Sequence, residues 1–573
     1  MNLTYKDNKL YMLVSPKERL SCMPYIYGAK LDQVTGLWIA PVGTLLPMLV
    51  VFPEIKPTNK LTRDLINQAK DILNAVQIQK NKIINKEQVT SKDYPFLMSH
   101  QAVCSNIAEL RPRYAFFLDT GTGKTISSLA IMDRIINTKC IQWVVVCPKS
   151  IIKTAWLADS NEFFKDINLL PVRANTKKAE LAEYARKLVT DGGVINKIED
   201  LFPYVDGIVT NPEQFKKYYK EGKLSNFKGL IIDESTMIKN RQAQITDMLT
   251  KFAKECKHVY ILSGKPAPNT PLDYFNQVKV VHPYIFGQSF TKFRDNFFKQ
   301  MDYMGFDWAL KSDKKELFTK LLDLCSIFVS KTDCLDLPPK TYLIREVELD
   351  KETMKHYKSM ELQQLVCLKD ADIPAPNKLA SLMKLRQISS GFIIDTENAT
   401  TTRLDKAKIQ ELATVLEELG DEKAIIWINF KEEVKAIEEL MQAKGYTYVT
   451  AYQGTKNVDD SIEAFKNNTA QFIIAHPKTL KYGVTFTGNS MVKNCTYAIY
   501  YSLSYSFEDY YQSHDRIYRK GQTEPCTFIF LLGKDTIDYN LYRCINNKGT
   551  SAQLIEDMVK ELNNKYEKES STV

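Results

Sequence analysis

Tyr114-Ala115-Phe116-Phe117-Leu118 runs into Asp119-Thr120-Gly121-Thr122-Gly123-Lys124-Thr125 and then into Ile126 to Ile136, so a strand-like apolar segment meets a helix-like one across a glycine loop. Strand, glycine loop, Lys-Thr and helix in that order make a phosphate cradle. Gly121 and Gly123 let the backbone N–H groups of the loop, Thr122 included, approach phosphate oxygens. Lys124 pairs with the outer phosphates, and the Thr125 hydroxyl at the helix N-terminus can ligate Mg²⁺. These residues predict a nucleoside triphosphate site.

Downstream, Gly229-Leu230-Ile231-Ile232-Asp233-Glu234 reads as a buried strand that ends in two adjacent carboxylates. Asp233 is suited to hold Mg²⁺ through its water shell, and Glu234 to orient and polarise an attacking water. Phosphoryl transfer draws most of its catalysis from such positioning and charge neutralisation. The pair therefore predicts hydrolysis in addition to binding.

Around these two motifs, apolar strands alternate with amphipathic helices. Trp143 to Cys147, Gly207 to Thr210, Leu230 to Ile232 and Val259 to Leu262 are strand candidates, and the alternation predicts a parallel, doubly wound α/β sheet. A second such series follows at Ala424 to Ile428, Tyr446 to Ala451, Gln471 to Ala475, Thr496 to Tyr501 and Thr527 to Leu532, with no phosphate loop of its own. Five segments result: a small β-rich module with a helix at 1–85, a first lobe at 93–270, a helical protrusion at 271–400, a second lobe at 401–535, and a C-terminal helix and tail at 536–573. In the first, Leu10 to Val14 and Leu37 to Ile39 read as strands, Leu61 to Val76 as an amphipathic helix, and Gln77 to Lys92 as a linker.

At 573 residues the chain exceeds one ordinary core, and 44% hydrophobic with 25% charged residues is the balance of a multidomain soluble protein. No apolar run is long enough to span a bilayer, and the N-terminus lacks a signal-peptide pattern, so a cytoplasmic or nucleoid-associated location is expected. The 11 cysteines show no Cys-x-x-Cys and the six histidines no ligand spacing, which excludes a zinc framework and leaves the nucleotide's Mg²⁺ as the one expected metal. A net charge of +9 is compatible with binding a phosphate backbone without deciding it.

In the second lobe, Gln512-Ser513-His514-Asp515-Arg516-Ile517-Tyr518-Arg519-Lys520-Gly521-Gln522 places Gln512, Arg516 and Arg519 within two helical turns of one another. Two arginines offered to a neighbouring domain's γ-phosphate would stabilise transition-state charge. Tyr500, Tyr501, Tyr505, Tyr510 and Tyr511 form an aromatic group better read as core than as a base-stacking surface.

Together these motifs resemble the Swi/Snf group of superfamily-two helicase-like ATPases over residues 95 to 560. In that resemblance Gln101 is the adenine-reading glutamine. Val145 to Ser150 with Trp156 is the first DNA-contacting motif, contributing Lys149, Ser150 and Trp156, and Thr210-Asn211 is another. The Asp-Glu box trails through Lys239-Asn240, Leu262-Ser263-Gly264-Lys265-Pro266 with Asn269 resembles the coupling motif, and Lys481 to Thr485 resembles a loop in which Thr485 contacts DNA. Leu337-Pro338-Pro339-Lys340, Leu385-Arg386-Gln387-Ile388 and the Gln512 to Gln522 box are more specific to the group. Asp535 to Asp538 resembles its bracing helix.

The resemblance implies two RecA-like lobes, ATP and Mg²⁺ as cofactors, and duplex or branched DNA bound independently of sequence. It implies a double-stranded DNA translocase serving replication, recombination or repair by fork remodelling, annealing or branch migration, with a strand-separating helicase and an ATP-gated scaffold as alternatives. Ile26-Tyr27 through Pro41 resembles the HARP-like module of annealing helicases. Departures fall in coupling and not in chemistry: Thr236 stands for a usual histidine, Lys265 for a usual threonine, and Ser502 to Ser506 lacks the usual Trp-Asn-Pro.

Overall fold

The computed structural model describes residues 1–139, 141–174, 176, 178–189, 195–268, 270–301, 308–369, 375–395, 400–480, 486, 493–519 and 521–546, with no side-chain detail over 364–381. Two compact units divide the chain, Met1–Leu335 and Asp336–Val573.

The first unit opens with β1 (Asn2–Lys6), β2 (Lys9–Leu13), β3 (Lys30–Leu31), β4 (Trp38–Pro41) and β5 (Lys56–Pro57), which form a sheet in the order β3-β4-β2-β1-β5. Asp7 and Asn8 both take positive φ, the geometry of a two-residue hairpin, and they join β1 to β2. Leu3, Leu10, Met12, Met48 and Phe52 are buried beneath this sheet. The module is seated on the rest of the unit by Tyr284: a Cβ on Gly43 would lie 2.7 Å from its ring. The following helix, Lys60–Ile84, runs well into the stretch read as a linker. The reason is Lys80, polar in sequence but buried, whose ammonium donates to Asp323 Oδ1 at 2.6 Å while its stem continues the helix's apolar face between Val76 and Ile83.

The main sheet of this unit contains β6 (Arg113–Leu118), β7 (Trp143–Val146), β8 (Leu169–Val172), β9 (Gly207–Thr210), β10 (Gly229–Asp233) and β11 (His258–Leu262). Beyond the short hairpin β12 (Phe298–Gln300) and β13 (Trp308–Leu310) it gains β14 (Ser326–Val329). Its order is β14-β6-β11-β10-β7-β9-β8, and every pairing is parallel. Edge strand β8 carries Pro171, which has no N–H for a ladder and so masks the strand in sequence. The reading of 271–400 as a helical protrusion is corrected here. Residues 271–335 belong to the first unit, where β14 extends its sheet, and the aromatic richness of this stretch is core: Phe286 stacks on Phe318 at 4.9 Å and meets Phe293 at 4.8 Å.

The second unit contains β15 (Lys340–Val347), the hairpin β16 (Phe392–Asp395) and β17 (Thr400–Arg403), then β18 (Ala424–Trp427), β19 (Tyr448–Ala451), β20 (Phe472–Ala475), β21 (Tyr497–Tyr500) and β22 (Cys526–Gly533). Its sheet runs β15-β22-β21-β18-β20-β19, again all parallel, with helices such as Ala407–Leu419 and Lys431–Lys444 between strands. Each unit contains one RecA-like α/β lobe. Tyr500, Tyr501 and Tyr510 are buried in the second, as core aromatics.

Candidate active site

Three neighbouring strands of the first lobe, β6, β11 and β10, end side by side and carry three motifs on their C-terminal edge: the phosphate loop, Ser263-Gly264-Lys265 and Asp233-Glu234. This edge is where open parallel sheets bind ligands. After Leu118 the loop turns through Gly121 and Gly123 at φ 83° and 80°, and the helix Lys124–Lys139 starts directly on Lys124. Thr122 closes the turn, its hydroxyl donating to Asp119 O at 2.7 Å. Lys124 Nζ lies 3.6 Å from Glu234 Oε1 and 3.4 Å from Leu118 O. Thr125 follows in the first helical turn, half-buried.

Gln101 sits against this loop and is buried. Its Oε1 accepts Met98 N–H at 2.9 Å, its Nε2 donates to Thr122 O at 3.2 Å, and His100 Nε2 lies 2.7 Å from the same carbonyl. A Cβ on Gly123 would come within 2.1 Å of the Gln101 amide nitrogen, so glycine is required there for contact as well as for φ. Both ends of the glutamine amide are engaged by backbone, and reading adenine would require it to exchange those bonds.

Asp233 is enclosed at the end of β10. Its Oδ2 accepts the Trp156 indole N–H at 3.0 Å and its Oδ1 accepts Glu234 N–H at 3.0 Å. Burial first, and the neighbouring Glu234 charge second, push its carboxyl up to about 6, while Lys124 opposes the shift. Glu234 itself holds φ 57°, a left-handed conformation that costs a non-glycine residue and is typical of functional turns. That conformation ends the strand and turns the second carboxylate back toward Lys124.

The donor set fits Mg²⁺. Each Asp233 oxygen accepts one hydrogen bond and keeps a further lone pair, and a carboxylate with a hydroxyl is the hard-oxygen set that Mg²⁺ takes alongside substrate phosphates and water. Among the described residues no group of three or more His, Cys, Asp or Glu could cage a metal.

The residues expected to contact DNA divide sharply. Lys149 and Ser150 are exposed just past β7. Trp156 is not available to DNA: it is fully buried, delivered by a π-helical turn, Ile152–Leu157, onto Asp233. Thr210 is also buried, donating to Val172 O at 3.2 Å, and Asn211 caps the helix Pro212–Lys220 by accepting Gln214 N–H at 2.9 Å. Lys239 is half-buried with its carbonyl held by Asn276, and Asn240 is exposed, accepting Gln242 N–H. Thr485, with Lys481 to Val484, lies outside the described residues, as does Asn269.

In the second lobe the helix carrying Gln512, Phe507–His514, stops before the arginines, which corrects the shared helical face. Arg516 Nε takes the Gln512 carbonyl at 3.0 Å, the acceptor its own backbone N–H would use in a continued helix, and that N–H turns to Ser513 O instead. Arg516 is thereby 4% exposed, whereas Arg519, three residues further round the turn, is half-buried. Sequence reasoning passed over Glu433, which is buried and accepts from Asn429 N, Phe430 N, Ser390 Oγ and Ser502 Oγ. Its place three residues into the helix after Phe430 was the available signal.

The SNF2-related domain matches residues 115–391 and the helicase conserved C-terminal domain matches residues 407–521. The chain belongs to the SNF2-related helicase-like family. Members are DNA-dependent ATPases, and the SNF2-related chain carries both halves of that motor. Putative protein p41 of Acyrthosiphon pisum secondary endosymbiont phage 1 is 22% identical over 462 residues, spanning 77% of this chain and 93% of p41. The Drosophila melanogaster SWI/SNF-related matrix-associated actin-dependent regulator of chromatin subfamily A-like protein 1 is 22% identical over 453 residues, 78% of this chain and 54% of its own. The Mus musculus DNA annealing helicase and endonuclease ZRANB3 is 21% identical over 442 residues, 75% and 38%. The chain thus spans about half or less of these two animal relatives. A solved Sulfolobus solfataricus SWI2/SNF2 ATPase core in complex with dsDNA aligns over 82% of this chain and 94% of its own, at 19% identity and a TM-score of 0.36. No helix among the described residues is long and apolar enough to cross a membrane.

Proposed function

We propose that this protein is an ATP-driven double-stranded DNA translocase that remodels branched DNA, by fork remodelling, annealing or branch migration. The observation that carries the reading is the convergence of Lys124, Asp233 and Glu234 at one sheet edge, with Lys124 and Glu234 3.6 Å apart. Lys124 and the loop N–H groups hold the outer phosphates, Thr125 and Asp233 would hold Mg²⁺, and Glu234 orients the attacking water. When bound, Mg²⁺ neutralises charge between the outer phosphates. Arg516 and Arg519 are assigned the transition-state charge. Lys149 and Ser150, exposed past β7, are assigned backbone phosphate contacts, which makes binding sequence-independent and salt-sensitive. The N-terminal module, outside both matched ranges, is assigned recognition of the branch, in keeping with its HARP-like sequence.

Steady-state ATP hydrolysis, measured alone and with duplex, single strand and a four-way junction, tests the proposal. Duplex or junction is expected to stimulate turnover, with Lys124→Ala and Glu234→Gln each lowering it at least about 100-fold. Turnover unaffected by any DNA would overturn the translocase reading, and efficient displacement of a strand from a plain partial duplex would replace it with a strand-separating helicase.

A further inference from the structure

The two faces of the N-terminal sheet differ in what they carry. On one, Leu3, Leu10, Met12 and Ala40 are buried in a core with Met48, Phe52 and Ile66. Successive residues of a strand alternate between faces, and directly paired residues share one. The register therefore sets Thr4, Tyr11, Ile39 and Lys30 side by side on the opposite face, in a row across β1, β2, β4 and β3. On the same face Leu13 pairs with Asn2 on one side of that row, and Lys9 with Lys6 on the other. Leu13 is 56% exposed, and Tyr11 and Ile39 are half-buried without joining the module's core. Lys6, Lys9 and Lys30 are exposed and in no ion pair among the described residues, and none of the outward positions on β1 to β4 is acidic. This face has a fixed place on the first lobe: Asn296 Nδ2 donates to Pro24 O at 2.9 Å, and a Cβ on Gly287 would come within 2.5 Å of the Tyr27 ring.

We infer that this outward face binds an unpaired DNA strand, with a base stacked on Tyr11 and the flanking phosphates met by Lys6, Lys9 and Lys30. An aromatic ring bordered by cations is what a single strand needs, since every base has a π-face and every linkage a charge. Lys9, two residues along β2, lies about 7 Å from Tyr11, and Lys30, two strands across, about 10 Å, so both ammoniums reach phosphates of one strand whose base covers the ring. An apolar protein surface laid on the same face would leave the three lysines without counter-charge, which favours nucleic acid as the occupant. A paired base offers its face only to its neighbours in the stack, so the site selects the strand that has lost its partner. The inference rests on the assignment of this module to the branch and names what the module holds there.

Equilibrium binding to the full chain tests it, with a fluorescein-labelled oligothymidylate and an abasic strand of equal length as probes. Tyr11→Ala is expected to weaken the oligothymidylate about 10-fold and the abasic strand less than about 2-fold, and Tyr11→Phe, which keeps the ring, to stay within about 2-fold on both. Lys9→Gln should reduce the slope of log affinity against log salt by about 0.7 on either strand. Equal weakening of both strands by Tyr11→Ala, or no change in either, overturns the inference. Duplex-stimulated ATP hydrolysis by the unmodified protein reports the translocase reading separately: stimulation alongside an unaltered oligothymidylate affinity in Tyr11→Ala overturns the inference alone, whereas failure of the unmodified protein to bind any DNA overturns both.

Discussion

Trp156 changes sides between sequence and structure. In sequence, a tryptophan in a DNA-contacting motif is an exposed aromatic; in the fold it is a wholly buried donor to Asp233. The family resemblance located the motif, but orientation depended on the π-helical turn Ile152–Leu157, whose extra residue per turn no periodicity argument anticipates. Thr210 is buried and Asn211 caps a helix, and in sequence a buried hydroxyl and a helix cap look the same as two polar ligands. The placement of Lys124, Asp233 and Glu234 on one sheet edge, by contrast, was legible because a glycine loop and a strand end fix where they lie. Removing the indole N–H takes a hydrogen bond from the charged form of Asp233, so Trp156→Phe should raise the Mg²⁺ concentration giving half-maximal ATP hydrolysis by roughly 10-fold, the scale of losing a partner to a metal ligand. A Mg²⁺ titration of the variant checks this, and an unchanged midpoint would make Trp156 a packing residue alone.

Among the elements, the helix Ile537–Asn546 carries Asp538 in its first turn, where the carboxylate ties parts of the second lobe together. Lys408 reaches Asp538 Oδ2 at 2.7 Å with both side chains nearly inaccessible, and Ser389 Oγ and Gly533 N–H donate to the same oxygen. Ser389 and Lys408, both more than 100 residues upstream, are thereby tied to one oxygen together with the nearby Gly533. Breaking such a pair strands a buried charge and costs about 3–5 kcal/mol. Lys408→Met should lower the denaturant midpoint of the second lobe accordingly, and Asp538→Leu combined with it should recover much of the loss, as a urea titration of the single and double variants would report. Nothing in the sequence pairs these residues, because lysine in an amphipathic helix reads as solvent-facing. The central strands were all legible as apolar runs, whereas β8, β14 and β15 were not: one carries proline and the other two lie in a stretch whose helices and aromatics dominate its pattern.

For the molecule as a whole, acid should act first on the lobe that holds the phosphate loop. Burial, reinforced by Arg111 and Arg113, holds His282 at about 3, and burial, reinforced by Lys139, holds His258 at about 4, both below the 6.5 of a free imidazole. The unfolded chain therefore takes up more protons than the folded one between pH 6.5 and 3, and stability falls as pH drops through that window. Melting temperature should fall from pH 7 to pH 5, with a shallower slope in His282→Gln; a slope unchanged in that variant would assign acid sensitivity elsewhere.

The position of β15 at the edge of its sheet has a consequence for synthesis. Its neighbour β22 is encoded roughly 180 residues later, so at 5–20 residues per second the ribosome takes on the order of 10–40 s to deliver it. Throughout that interval the consecutive apolar side chains Tyr342, Leu343 and Ile344, which remain 42–44% exposed even in the finished fold, sit on a strand with no ladder on either side. The first lobe has by then emerged complete. The nascent chain is thus most vulnerable to off-pathway pairing when its first lobe is finished and β15 is still unpaired along both edges, and a slower ribosome would lengthen that exposure.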